Sequence, residues 1–131
     1  MIVYLDENIP DRIAKALKHL EKDPTVSIDT LKNKFGEGCL DEDWIPRVGK
    51  QNALVFTRDK RIKNDKIQRQ LYHEHGVNMI FISSDNSTKD LKYWDLVQVI
   101  IKHWQAVKQE FLANNRPITL LCTPKRFELL N

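Results

Sequence analysis

Acidic residues at three places along the chain have the type and spacing to do chemistry. They are Asp6, directly after an apolar opening run; the turn Asp41-Glu42-Asp43; and Asp59, two residues after the end of the run ALVFT. Carboxylates brought within a few ångströms raise each other's pKa, a cost that proteins commonly offset by binding a hard divalent cation. Mg²⁺ and Mn²⁺ are the ions that such oxygen ligands suit. A cation so held generates hydroxide from water, orients a phosphodiester and neutralises charge on a leaving oxygen. The competing explanation is that Asp6 and Asp59 are turn or cap residues, as Asp often is.

For these residues to meet, the elements carrying them must end on one rim. Met1 to Leu5 reads as a strand, and residues 10–21 as a helix opened by Pro10 with Ile13, Ala14, Leu17 and Leu20 on one face. Val26, Ile28 and Leu31 give a weak strand, followed by a glycine-containing loop from Lys32 to Cys39. Asp41 has the place of an N-cap for a helix with the stripe Trp44, Ile45 and Val48, and Pro46 stands near its first turn. Ala53 to Thr57 is a short, continuous apolar run of the kind buried on both faces of a parallel sheet. A helix over 65–75 uses Ile67, Leu71 and Tyr72 and stops at Gly76, and Met79 to Ile82 is a further buried strand. The spacing predicts a long helix over 90–113, with Trp94, Val97, Ile100, Ile101, Trp104, Val107, Phe111 and Leu112 on its apolar face, before the run Ile118 to Cys122 and a polar tail. Strand and helix alternating with short connections imply an α/β fold, a three-layer α/β/α sandwich around a mainly parallel sheet. In such sheets ligands bind outside the carboxyl ends of the strands, where Asp6 and Asp59 fall.

Composition agrees with this architecture. A chain of 131 residues, 41% hydrophobic and 30% charged with four glycines and five prolines, excludes collagen-like, low-complexity and disordered classes. One domain over 1–131 is expected, with a metal-site core over 1–85 and the long helix, last strand and tail over 89–131. No apolar run approaches the ~20 residues of a membrane helix, and the start lacks the order of a signal peptide, so a cytoplasmic protein with no membrane partner is expected. Cys39 and Cys122 show neither zinc-ligand nor disulfide-framework spacing and read as buried or inert thiols.

The acidic segments also carry a resemblance. Val3-Tyr4-Leu5-Asp6-Glu7-Asn8-Ile9-Pro10, Asp41-Glu42-Asp43-Trp44-Ile45 and Val55-Phe56-Thr57-Arg58-Asp59-Lys60 resemble, in order and spacing, motifs of the PIN-domain superfamily, in its short PIN-like branch that includes VapC-type toxins. The resemblance covers residues 1 to about 82. It implies that Asp6, Asp41 and Asp59 are catalytic and bind Mg²⁺ or Mn²⁺, and that the activity is metal-dependent hydrolysis of RNA. It also implies the toxin half of a toxin-antitoxin pair, blocked by a cognate antitoxin protein. The further acidic residue usual in a full PIN domain has no clear match, and Glu7, Asp43, Asp65 and Asp85 remain open alternatives for it.

Arg58 and Lys60 flank Asp59, with Arg61, Lys63, Lys66 and Arg69 following and Lys32 and Lys34 in the loop, a basic rim able to hold a phosphate backbone without reading sequence. Solvated surface charge is the alternative reading. Thr57 has the place to position Asp6 or a metal-bound water, and Asn8 to orient the site or cap the first helix. His73 and His75, two apart on a helix, point in different directions and are read as surface residues. The apolar face of the long helix and the run Ile118 to Cys122 offer surface for a homodimer. Three rival classes share parts of this pattern. An aspartyl-phosphate phosphatase would need an acid two residues after its nucleophile, where Asn8 stands. A receiver-like phosphoacceptor would use Asp6, Glu7 and Asp59 with Ser83 or Ser84 and Lys125. A non-catalytic PIN-like module would bind RNA or protein without cleaving.

Overall fold

A computed structural model describes residues 1–59, 64–86 and 88–130. Its centre is a six-stranded sheet of β1 (Ile2–Leu5), β2 (Ser27–Thr30), β3 (Leu54–Thr57), β4 (Asn78–Ile82), β5 (Thr119–Cys122) and β6 (Phe127–Leu129), in the spatial order β2-β1-β3-β4-β5-β6. All neighbouring pairs are parallel except β5 and β6. The helices are α1 (Asp11–Leu20), α2 (Leu31–Phe35), α3 (Asp41–Lys50), α4 (Lys66–Glu74) and α5 (Tyr93–Ala113).

Strand periodicity divides the core between the two faces of the sheet. Val3, Leu5, Phe56 and Ile80 point to one side, where Ile13 and Leu17 of α1 meet Leu96, Ile100, Trp104, Val107 and Phe111 of α5. Tyr4, Val55, Met79 and Phe81 point to the other, under Leu31 of α2, Trp44, Ile45 and Val48 of α3, and Tyr72 of α4. The result is the α/β/α sandwich expected from the alternation of elements. From β1 the chain crosses to β2 on one side and then returns past β1 to β3 on the other. The switch point therefore lies between β1 and β3, and a crevice opens at their carboxyl ends.

Several local expectations are corrected. Leu31 is not a strand residue, and the following loop is partly helical. Thr30 accepts a hydrogen bond from the Asn33 N–H (3.0 Å) while the Asn33 amide reaches the Asp29 carboxylate, and this pair of bonds nucleates α2. Leu40, not Asp41, is the N-cap of α3, which leaves the Asp41 side chain available for another partner. Pro46 lies in the second turn of α3, where it removes one rung of the ladder. Ile67 and Leu71 are exposed, so α4 buries Tyr72 rather than an aliphatic stripe. On α5, Trp94, Ile101 and Leu112 face solvent, and Leu96, Val99 and His103 take the buried stripe instead. The tail turns back as β6, with the Thr123 N–H donating to the Arg126 carbonyl at the hairpin. No described helix is long and apolar enough to cross a membrane.

Candidate active site

Asp6 is the first residue beyond β1, yet its N–H still donates to the Phe56 carbonyl of β3 (2.9 Å), so the sheet ladder itself aims the residue into the switch-point crevice. The last residue of β3, Thr57, is completely buried and stands at the centre of a small network. Its oxygen accepts from the Asn8 amide (3.3 Å) and from the Asp59 N–H (3.1 Å). With both lone pairs so used, its one proton goes to Asp6 Oδ2 (2.9 Å). Asp6 Oδ1 accepts from the Glu7 N–H (2.8 Å), and Asn8 Oδ1 from the Arg58 N–H (3.2 Å). Asn8 therefore ties the β1 and β3 ends together. It does not cap α1, whose N-cap is Pro10.

Burial pushes the Asp6 carboxyl above the usual carboxylate range. The bonds from Thr57 and Glu7 oppose the rise, and the neighbouring charges of Asp59 and Glu7 add to it. Across the crevice, Asp41 Oδ1 accepts from Trp44 Nε1 (3.0 Å), one turn further along α3. Asp6, Glu7, Asp41, Trp44 and the turn through Gly36, Gly38 and Cys39 line a cleft of about 140 Å³. Gly38 donates its N–H to the Glu7 carboxylate (3.3 Å), and the positive φ of Gly36 and Gly38 lets the turn fold against β1. Cys39 is thus a half-buried thiol on the wall of this cleft, not a buried one, whereas Cys122 is in the core.

The other expected residues are distributed as follows. Arg58 commits Nη2 to the Leu91 carbonyl (2.8 Å), which leaves its remaining donors at the rim. Asp43 is exposed in the first turn of α3. Asp65 caps α4 by accepting from the N–H groups of Ile67 and Gln68, and Asp85 takes Thr123 Oγ1 and the Lys125 N–H, so neither completes the acidic set. Lys60, Arg61 and Lys63 lie outside the described residues. Lys66, Arg69 and His73 line a shallow groove between α4 and the β5 and β6 end of the sheet. Lys32 approaches Glu37 at 4.0 Å. His73 and His75 are both exposed.

One residue of the site was not singled out in the sequence for its chemistry. Tyr72 stacks on Trp44, and its hydroxyl lies in the field of Asp41, Asp6 and Asp59. In the sequence it reads only as an apolar helix position, because nothing local shows which way its hydroxyl turns.

A parallel α/β sheet with carboxylates gathered at its switch point defines a class of protein suited to binding cations and phosphates outside the strand ends. The chain belongs to the PIN-like domain family, whose model matches residues 1–84, and the superfamily is of nuclease type. No curated protein and no solved structure matches the chain. The residues present suit a hydrated divalent cation: the donors are hard carboxylate oxygens, and Mg²⁺ keeps most of its waters while using one or two carboxylates. Among the described residues no three His, Cys, Asp or Glu side chains come together closely enough to enclose an ion. Asp6 and Asp41 share the cleft, and Asp59 lies near enough to Asp6 for its charge to raise the Asp6 pKa, so the fit is to an ion that keeps most of its waters.

Proposed function

We propose that this PIN-like domain is a metal-dependent ribonuclease that hydrolyses RNA phosphodiester bonds with Mg²⁺ or Mn²⁺. The observation that carries this reading is the Thr57 network, in which one hydroxyl joins the half-buried Asp6 carboxylate to the Asp59 backbone at the switch point. Asp6, Asp59 and Asp41 would hold the cation, which supplies a hydroxide and neutralises the leaving oxygen. Thr57 and Asn8 keep the two strand ends in register, and Arg58 with Lys60 meets the phosphate backbone as a sequence-independent contact. Glu7 and Asp43 flank this set. In this reading the chain is the toxin of a toxin-antitoxin pair. The exposed apolar side chains Leu20, Trp94 and Ile101 between α1 and α5 supply surface for a protein partner, an antitoxin or a second copy.

The test is incubation of the purified protein with a structured RNA pool and Mg²⁺ or Mn²⁺, with EDTA and Asp59→Asn as controls. Cleavage lost in both controls is the expected result. A folded wild-type protein that leaves the RNA intact would remove the assignment. A second reading, a non-catalytic PIN-like module that binds RNA or protein, is favoured by the lack of a three-donor cage among the described residues. It predicts RNA binding that Mg²⁺ leaves unchanged.

A further inference from the structure

Lys66, Arg69 and His73 follow one another at spacings of three and four, so they form a single stripe along α4. The stripe walls an open groove of about 330 Å³, completed by Gln70, by Thr119 at the start of β5 and by Leu130 beyond β6. No acidic side chain lines it, and among the described residues none of the three makes an ion pair. Arg69 is half-buried, and its Nε is enclosed with no hydrogen-bond partner among the described residues. An enclosed guanidinium nitrogen left unbonded costs free energy, and the packing of α4, which rests on Tyr72, needs no charge there. A phosphate in the groove removes that cost: a turn of the side chain presents the edge from Nε to Nη, whose two parallel N–H groups match two phosphate oxygens. The groove also has a direction. β3 and β4 are parallel, so α4 returns from the carboxyl ends of the strands to their amino ends. Lys66 thus stands on the side of the acidic crevice and His73 at the opposite end. At about 1.5 Å per residue the stripe is about 10 Å long, the length of about three nucleotides of a stacked strand at about 3.4 Å each.

We propose that this groove binds the phosphate backbone of an RNA strand running from the crevice along α4. Arg69 grips one phosphate bidentately, and Lys66 and His73 contact its neighbours. The choice of RNA rests on the ribonuclease reading above. To that reading the groove adds a surface, apart from the acidic crevice, that holds the strand without a metal ion and without reading its bases.

The test is binding of a labelled single-stranded RNA in EDTA, where no metal-dependent cleavage intervenes, by wild type, Lys66→Gln/Arg69→Gln and Lys15→Gln/Lys18→Gln. The last pair removes the same charge from exposed positions of α1 and is expected to bind as wild type. The groove variant is expected to bind about 10-fold more weakly at low salt. Its slope of log affinity against log salt should be shallower by about 1.4, since each phosphate contact on a single strand contributes about 0.7. Lys66 is exposed, so Lys66→Gln alone, with an expected change of about 0.7, reads the groove should the double variant fail to fold. Wild-type binding in the groove variants, or an equal loss in the α1 variant, would overturn the proposal and leave RNA cleavage at the acidic crevice standing. A wild-type protein that binds no RNA would overturn the groove and the ribonuclease reading together.

Discussion

Replacing Thr57 by Val removes a hydroxyl from the centre of the site while keeping the side chain's shape, and its consequences follow from the three bonds that the oxygen makes. Two partners recover water: Asn8 is exposed and Asp59 half-buried, so the amide and the N–H that faced Thr57 lose little. Asp6 is different, because its Oδ2 accepts the Thr57 proton at 2.9 Å in a site where burial already works against the charge. Hydrogen bonds to charged groups contribute about 1.5–3 kcal/mol, so Thr57→Val should destabilise the protein by about 2 kcal/mol. Thr57→Ser keeps the hydroxyl and loses one methyl from a fully buried position, about 1 kcal/mol. Urea denaturation of the three proteins at neutral pH measures both differences. Mn²⁺ titration then separates them further: Val loses a bond that holds Asp6 ionised and should weaken binding several-fold, while Ser should bind as wild type. A Thr57→Val protein with wild-type stability and wild-type Mn²⁺ affinity would refute the role given to this network.

Other perturbations have equally definite outcomes. Lys108 pairs with Glu21, a nearly buried carboxylate that also accepts from Trp104 Nε1, and this pairing holds the Glu21 carboxyl below the usual range. A lowered folded-state pKa gives stability above the unfolded value that is lost as pH falls through the folded one. Lys108→Met should therefore cost about 1–2 kcal/mol in urea denaturation at pH 7, with the gap closing in acid as Glu21 takes up a proton. A gap that does not narrow as the solution is acidified would show a packing effect instead. At Gly49 of α3, an added Cβ would stand 1.8 Å from the His75 carbonyl oxygen at the end of α4. Gly49→Ala should destabilise by about 3 kcal/mol by forcing these helices apart, and a melting temperature equal to wild type would contradict that close approach.

Much of the scaffold was legible because its signals are local and redundant. The runs IVYL, LVFT and NMIFI are short, continuous and apolar, as strands covered on both sides must be, and they alternate with helices. Asp6 and Asp59 follow two of these runs, so their shared rim follows from parallel topology alone. What escaped depends on side-chain direction or on single capping bonds. The short helix α2 hangs on Thr30 and Asn33, and the exposure of Trp94 and Ile101 depends on which arc of a 21-residue helix meets the sheet. Asn8 offers the same signal for a helix cap as for a strand tie, and only the nearness of Thr57, 49 residues away, separates them. Tyr72 was visible as an apolar helix position, but the facing of its hydroxyl toward acids from β1, β3 and α3 is a tertiary fact.

The most direct measurement is the rate of RNA cleavage under Mn²⁺ by wild-type, Asp6→Asn and Asp59→Asn proteins purified side by side, each checked by thermal melting. Burial raises the Asp6 pKa, so its ionised form costs stability once pH rises through that raised value, and Asp6→Asn is expected to remain folded at neutral pH. Cleavage by the wild type, abolished in both folded variants, is the expected result. Cleavage that continues at the wild-type rate in both would contradict a catalytic site at this switch point.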